Sequence, residues 1–157
     1  MLDESVIRNA CDESVITGRP IRLVSGCFDL LHIGHVDFLT EAKGSDGILV
    51  VAVLRDAFIR ERKGSGRPIV KEKQRLALIQ SLKVTDYSLL LEREDTENLI
   101  KKLKPAEYVI GGDRRESALP EQTILDTYHV TIRFTKLHGD ESTTSLIEEI
   151  IRQNVLR

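Results

Sequence analysis

Apolar and polar positions change rhythm along the chain in a regular way. Ile21 to Ser25 is a short apolar run after Gly18 and Pro20, which predicts a buried strand. Gly34 to Lys43 places Val36, Phe38, Leu39 and Ala42 on one side of a helix, and Gly44 and Gly47 stop it. Ile48 to Leu54 is continuously apolar, as expected of a central parallel strand covered on both faces. Arg55 to Val70 is polar, basic and broken by Gly and Pro, and reads mostly as loop. Lys71 to Leu82 reads as helix, Tyr87 to Leu91 as strand, and Thr96 to Leu103 as helix before Pro105. Tyr108 to Ile110 is a short strand running into Gly111-Gly112. Glu116 to Tyr128 is partly helical, and Val130 to Phe134 alternates like a strand. Ser142 or Thr143 caps a last helix with Leu146, Ile147, Ile150 and Ile151 on one stripe.

Strands alternating with helices predict an α/β fold: a Rossmann-like α/β/α sandwich around a five-stranded parallel sheet. We expect residues 1–20 to be an N-terminal extension, a short helix and turn, and 21–157 to be a single domain. Such sheets bind ligands at the carboxyl ends of their strands, where strand order reverses. That directs attention to the loops after Ser25, Leu54 and Ile110, and to the start of the last helix.

Composition narrows the classes. The chain has 157 residues, 41% hydrophobic and 31% charged, with a net charge of −2, which excludes a disordered chain. The near-neutral balance and 4% aromatics argue against a nucleic-acid or membrane-surface binder. No apolar run approaches a membrane span, and MLDESVIRNA lacks the features of a signal peptide. Cys11 and Cys27 form no CxxC pair, so a reduced, cytoplasmic setting is expected. Charge is unevenly placed: Arg55 to Arg75 carries +5 and the remainder −7. A basic, Gly-broken segment beside a strand end suits polyanions such as a nucleoside triphosphate and a phosphorylated acceptor.

The chemistry concentrates in Gly26-Cys27-Phe28-Asp29-Leu30-Leu31-His32-Ile33-Gly34-His35. Gly26 permits close backbone approach at a strand end, and Gly34 leaves room for a bulky anion between His32 and His35. Two imidazoles at a helix N-terminus can donate to a phosphate whose charge grows in a transition state. The competing readings are helix-start histidines without chemistry, and a metal site, which has only Asp29 and Asp37 as local carboxylates. Cys27 has no evident activating base and reads as a small residue whose backbone is used. Gly111 and Gly112 expose backbone groups that can read a base edge, with Asp113 as acceptor. Ser142, Thr143 and Thr144 offer hydroxyls and free N–H groups for phosphates.

Gly26 to His35 resembles the GxFDxxHxGH signature of the cytidylyltransferase-like nucleotidyltransferases. His32-Ile33-Gly34-His35 also occurs in class I aminoacyl-tRNA synthetases, but no KMSKS sequence is present. Lys63-Gly64-Ser65-Gly66-Arg67-Pro68 resembles the basic loop of the bacterial heptose-1-phosphate adenylyltransferases, as do Gly111-Gly112-Asp113 and Ser142-Thr143-Thr144-Ser145-Leu146-Ile147. The chain departs from that pattern at Ile110, at Leu54-Arg55-Asp56 and at Arg114.

The resemblance implies a nucleotidyltransferase of the HUP type. An acceptor phosphate attacks the α-phosphate of ATP, and pyrophosphate leaves. It implies His32, His35 and Lys63 as catalytic residues. The nucleotide would lie on Gly26, Cys27, Phe28, Gly34, Gly111, Gly112, Asp113 and Ser142 to Thr144. Lys63, Arg75 and Asp29 would hold substrate phosphate. Mg²⁺ would be held mainly by the nucleotide phosphates, with no dedicated protein metal site. A homodimer without nucleic-acid or membrane partners is expected. A CTP-dependent cytidylyltransferase for glycerol 3-phosphate, and a non-catalytic nucleotide-binding regulatory module, are the alternatives.

Overall fold

The computed structural model describes residues 2–112, 119, 121–136 and 142–155. Helix α1 (Glu4–Thr17) leads, followed by β1 (Ile21–Gly26), α2 (Ile33–Lys43), β2 (Ile48–Leu54), α3 (Asp56–Lys63) and α4 (Glu72–Gln80). Then come β3 (Tyr87–Leu91), a 3₁₀ turn (Arg93–Asp95), α5 (Thr96–Leu103), β4 (Glu107–Ile110), α6 (Gln122–Thr127), β5 (Thr131–Phe134) and α7 (Thr143–Val155). The five strands form one parallel sheet in the order β3-β2-β1-β4-β5.

The continuous apolar run of β2 has the predicted cause. Ile48, Val50 and Ala52 enter one core, Leu49, Val51 and Val53 the other, on opposite faces of the pleat. The first core includes Ile7 and Ala10 of α1, Leu99 and Leu103 of α5, and Leu125 of α6. The second takes Leu39 and Ala42 of α2 and Ile79 of α4. Helices thus cover both sides of the sheet.

Residues 1–20, expected as a helix and turn, carry α1, and Leu2, Ile7 and Ala10 belong to the first core. Asp3 caps α1 by accepting from the amides of Ser5 and Val6, and Gly18 ends it at φ 71°. Next, Arg55 to Val70 is not mostly loop, since α3 occupies its first half. Only Ile59 anchors α3 in the core, so the apolar period that announces a helix is missing. Its charges compensate: Asp56 lies in the first turn and Arg60, Arg62 and Lys63 in the last, matching the helix dipole. The segment from Glu116 to Tyr128, expected to be partly helical, carries α6 at Gln122–Thr127.

The sheet opens where order reverses. β1 pairs with β2 through six residues, Ile21↔Ile48 to Gly26↔Val53, but with β4 only at Arg22↔Glu107 and Leu23↔Tyr108. Beyond that point, the hydroxyls of Ser25 and Tyr108 share a hydrogen bond across the gap. The crevice between β1 and β4 is the expected ligand position in a sheet of this topology.

Candidate active site

A cleft of ≈ 580 Å³ lies over the carboxyl ends of β1, β2 and β4. It gathers Gly26, Cys27, Phe28, Asp29, His32, Gly34 and His35 from the loop after β1 and the start of α2. Lys63 enters from the end of α3, Gly111 and Gly112 from beyond β4, and Ser142, Thr143 and Thr144 from the start of α7. Segments far apart in sequence therefore meet in one place. Asp113 and Arg114 lie outside the described residues.

The loop after β1 is bent by its own side chains. Phe28 and Leu30 have φ of 50° and 44°, the left-handed region that residues other than glycine rarely occupy. The buried Phe28 ring folds back over Gly26, where an added Cβ would sit 2.8 Å from it. Gly26 is therefore required by a close approach two residues further on.

His32 is the N-cap of α2, in extended conformation, and its carbonyl accepts from the amides of His35 and Val36. The His32 and His35 rings lie 3.9 Å apart at 34°, and Phe28 meets His35 edge-on at 5.5 Å. His35 Nδ1 accepts the backbone N–H of His32 at 3.4 Å. Burial, and then the neighbouring His32 and Lys63 charges, push the His35 pKa down to about 4. His35 is therefore neutral at physiological pH, and its proton is assigned to Nε2 because Nδ1 is an acceptor. The pair offers hydrogen-bond donors at a helix N-terminus, where free amides already favour an anion.

Two expected phosphate ligands are instead structural. Arg75 is fully buried and does not reach the cleft. Its guanidinium donates to the carbonyls of Val70 (2.9 Å), Leu54 (2.8 Å) and Cys27, and pairs with Asp56 at 2.8 Å. These bonds take four of the five N–H donors of the buried guanidinium, which is turned away from the cleft. It ties the loop after β1 to the end of β2 and to the segment before α4. Asp29 lines the cleft but is 1% exposed. Its carboxylate accepts the amides of Ile69 (2.9 Å) and Val70 (2.8 Å), which also turns an acceptor group, not a donor, toward any phosphate. Its backbone carbonyl accepts the Thr143 hydroxyl at 2.7 Å, fastening α7 to the same loop. Ser142 accepts the amide of Ser145 at 3.0 Å and caps α7.

Cys27 contributes its backbone. Burial pushes its thiol pKa up, against the pull of Arg75 and Lys63, so a reactive thiolate is disfavoured. Among the described residues no group of three or more His, Cys, Asp or Glu could hold a metal ion. The Asp29 carboxylate accepts one amide on each oxygen, which fixes its orientation in the loop.

Sequence reasoning passed over several lining residues: Ser25, Phe38, Arg67, Tyr108 and Lys136. Arg67 carried a signal, since it lies in the Gly-broken basic loop. Ser25 and Tyr108 carried none, because their pairing depends on which strands are neighbours.

The model of the cytidylyltransferase-like family matches residues 23–153, a span that includes nearly all of the cleft. The chain belongs to the cytidylyltransferase-like family. It is 34% identical over 135 residues to the "Bifunctional protein HldE" of Geobacter metallireducens, covering 86% of this chain and 28% of that protein. The protein of the same name from Pseudomonas entomophila is 33% identical over 141 residues, 90% of this chain and 30% of the relative. The chain thus spans under a third of the length of these relatives. The crystal structure of the lipopolysaccharide core biosynthesis protein from Thermoplasma volcanium GSS1 superposes with a TM-score of 0.65 at 31% identity. That match covers 79% of this chain and all of the other. The parallel sheet and its flanking helices are accordingly the Rossmann-like fold of the HUP-type nucleotidyltransferases. Among the described residues no helix is long and apolar enough to cross a membrane.

Proposed function

We infer that the chain transfers AMP from ATP to a sugar 1-phosphate, heptose 1-phosphate being the favoured acceptor, with release of pyrophosphate. The observation that carries this reading is the neutral His35 stacked on His32 at the N-terminus of α2, in one cleft with Lys63 and the start of α7. A phosphate oxygen of the acceptor attacks the α-phosphorus of the nucleotide. A new P–O bond forms, the bond to the bridging oxygen of the β-phosphate breaks, and that oxygen leaves with its electron pair on pyrophosphate. No side chain needs to act as nucleophile or base, because the attacking oxygen already carries charge. The protein supplies position and stabilises charge.

His35 Nε2–H and the His32 imidazole donate to the non-bridging oxygens of the α-phosphate, where charge accumulates. Lys63 neutralises phosphate charge from the end of α3. The first amides of α7 and the Thr144 hydroxyl receive the leaving pyrophosphate. Thr143, whose hydroxyl is engaged by Asp29, holds α7 in place. Gly111 and Gly112 present backbone to the base. Magnesium would be held mainly by the nucleotide phosphates and would offset their charge. The choice of ATP and a heptose follows the resemblance of the Lys63 to Pro68 and Ser142 to Ile147 segments, and accords with a similar solved structure titled as a lipopolysaccharide core biosynthesis protein.

The test is pyrophosphate release with Mg²⁺, crossing ATP and CTP against heptose 1-phosphate and glycerol 3-phosphate. Turnover confined to ATP with the heptose is the expected result. Turnover with CTP and glycerol 3-phosphate overturns the substrate assignment and keeps the mechanism. Nucleotide binding without turnover on any acceptor points to a regulatory module.

A further inference from the structure

Two arginines of the same basic segment have opposite surroundings. Arg75 spends its donors on three carbonyls and a carboxylate. The Arg67 side chain is only 16% exposed, yet its Nη1 is buried with no protein acceptor in hydrogen-bond reach. The nearest opposite charge is Asp29 Oδ2 at 3.8 Å, and that oxygen already holds the amide of Ile69. Burying a guanidinium nitrogen without a hydrogen bond is unfavourable, and an oxyanion that supplies the acceptor removes the penalty.

The position of Arg67 says where that oxyanion belongs. Arg67 lines the main cleft and also a second, open groove of ≈ 470 Å³ between the 64–70 loop and α7. Lys63 and Thr144 line both as well, so the two spaces join at a pair of cations. Ile147 and Glu148 complete the groove. An apolar side chain beside a carboxylate suits a molecule with a carbon face and hydroxyl donors, and does not suit a triphosphate, which the Glu148 charge repels.

We propose that Arg67 is an acceptor-binding residue: it grips the acceptor's phosphate at the junction and directs the hydroxyl-bearing remainder into the groove along α7. The proposal deepens the reading of the chain as a transferase to a phosphorylated acceptor, and rests on it. The same cation could meet either of two phosphate sources, the acceptor's monoester or the tail of the nucleotide, and the experiment separates them.

The test is calorimetric binding, without turnover, of heptose 1-phosphate, glycerol 3-phosphate and ATP to the full chain and to its R67Q and R67K variants. The expected result is a loss of about tenfold or more in affinity for the phosphate esters in R67Q, with ATP affinity within about twofold of the parent. R67K should fall between, because an ammonium keeps the charge and lacks the planar fork. R67K also keeps a cation facing Asp29, so it carries the comparison if R67Q does not fold. Ester affinity unchanged in both variants overturns the proposal. So does a loss confined to ATP, a loss equal for all three ligands, or no measurable ester binding to the parent. Because binding is read alone, the assigned reaction can fail in the pyrophosphate assay while the Arg67 result stands, and the reverse.

Discussion

Replacing Arg75 by Met tests the reassignment of a residue whose sequence setting suggested phosphate binding. The substitution keeps much of the aliphatic volume and removes a guanidinium that is fully buried. Three carbonyls, of Cys27, Leu54 and Val70, lose their donor, and the Asp56 carboxylate loses its charge partner at 2.8 Å. Breaking one side of a buried ion pair costs about 3–5 kcal/mol, and each newly orphaned buried acceptor adds up to about 1–3 kcal/mol where water cannot reach it. The ion pair alone, near 4 kcal/mol and the least loss expected, is a large share of the roughly 5–15 kcal/mol that holds a domain together. At about 2–4 °C per kcal/mol for this size, the thermal midpoint should fall by about 10 °C. Urea denaturation followed by circular dichroism measures it. Adding Asp56→Asn to Arg75→Met should recover about 1–2 kcal/mol, because the stranded charge is then gone. If Arg75→Met leaves stability within about 1 kcal/mol of the parent while phosphate ligands bind more than tenfold weaker, the structural role is refuted and the phosphate role restored.

Three further outcomes follow from the site. The His35 imidazole should stay neutral on acidification until near pH 4, seen by its ring nitrogen shifts in NMR; protonation near its ordinary value of 6.5 would contradict its burial. The sign for stability is fixed by the same shift. The unfolded chain takes up this proton near 6.5 and the folded chain near 4, so the contribution is complete above 6.5 and is lost as pH falls through about 4. His35→Asn should flatten that part of the pH–stability profile and, if the imidazole serves the α-phosphate, lower kcat by about a hundredfold or more with nucleotide affinity largely kept. Gly26→Ala places a Cβ 2.8 Å from the Phe28 ring, so it should cost about 1–3 kcal/mol and depress turnover by shifting the loop, both absent if the ring simply swings aside. Thr143→Val removes the 2.7 Å bond to the Asp29 carbonyl, which should cost about 1 kcal/mol and raise the KM for nucleotide, whereas Thr143→Ser should restore both.

The legible parts of this chain are those whose cause is local. β2 is readable because both of its faces meet apolar cores, so the apolar run is unbroken. His32 and His35 are readable because a strand, a glycine and a helix start succeed one another within a few residues. Helix α3 is not, because its apolar anchoring comes down to Ile59 and its charges look like those of a loop. Arg75 and Asp29 were misread for a further reason. A basic or acidic residue near a phosphate motif looks the same in sequence whether it faces the cleft or a neighbouring carbonyl. The partners that decide it lie far off in sequence, Cys27 48 residues from Arg75, and Ile69 and Val70 40 and 41 residues from Asp29.

Those distant partners all converge on one short loop. Arg75 holds the Cys27 carbonyl, the Asp29 carboxylate holds Ile69 and Val70, and the Asp29 carbonyl holds Thr143. Between these fixed points Phe28 and Leu30 are kept at positive φ, a conformation the loop would not retain alone. The histidine pair is therefore placed by residues that need never touch a substrate. Two imidazoles 3.9 Å apart gain their value from being held before the ligand arrives, since donors already aimed at the developing charge need no reorganisation during reaction. It follows that Asp29 and Arg75 matter to the chemistry through geometry, and that their loss should lower kcat and stability together, whereas loss of the His35 imidazole should lower kcat far more than it lowers stability at neutral pH.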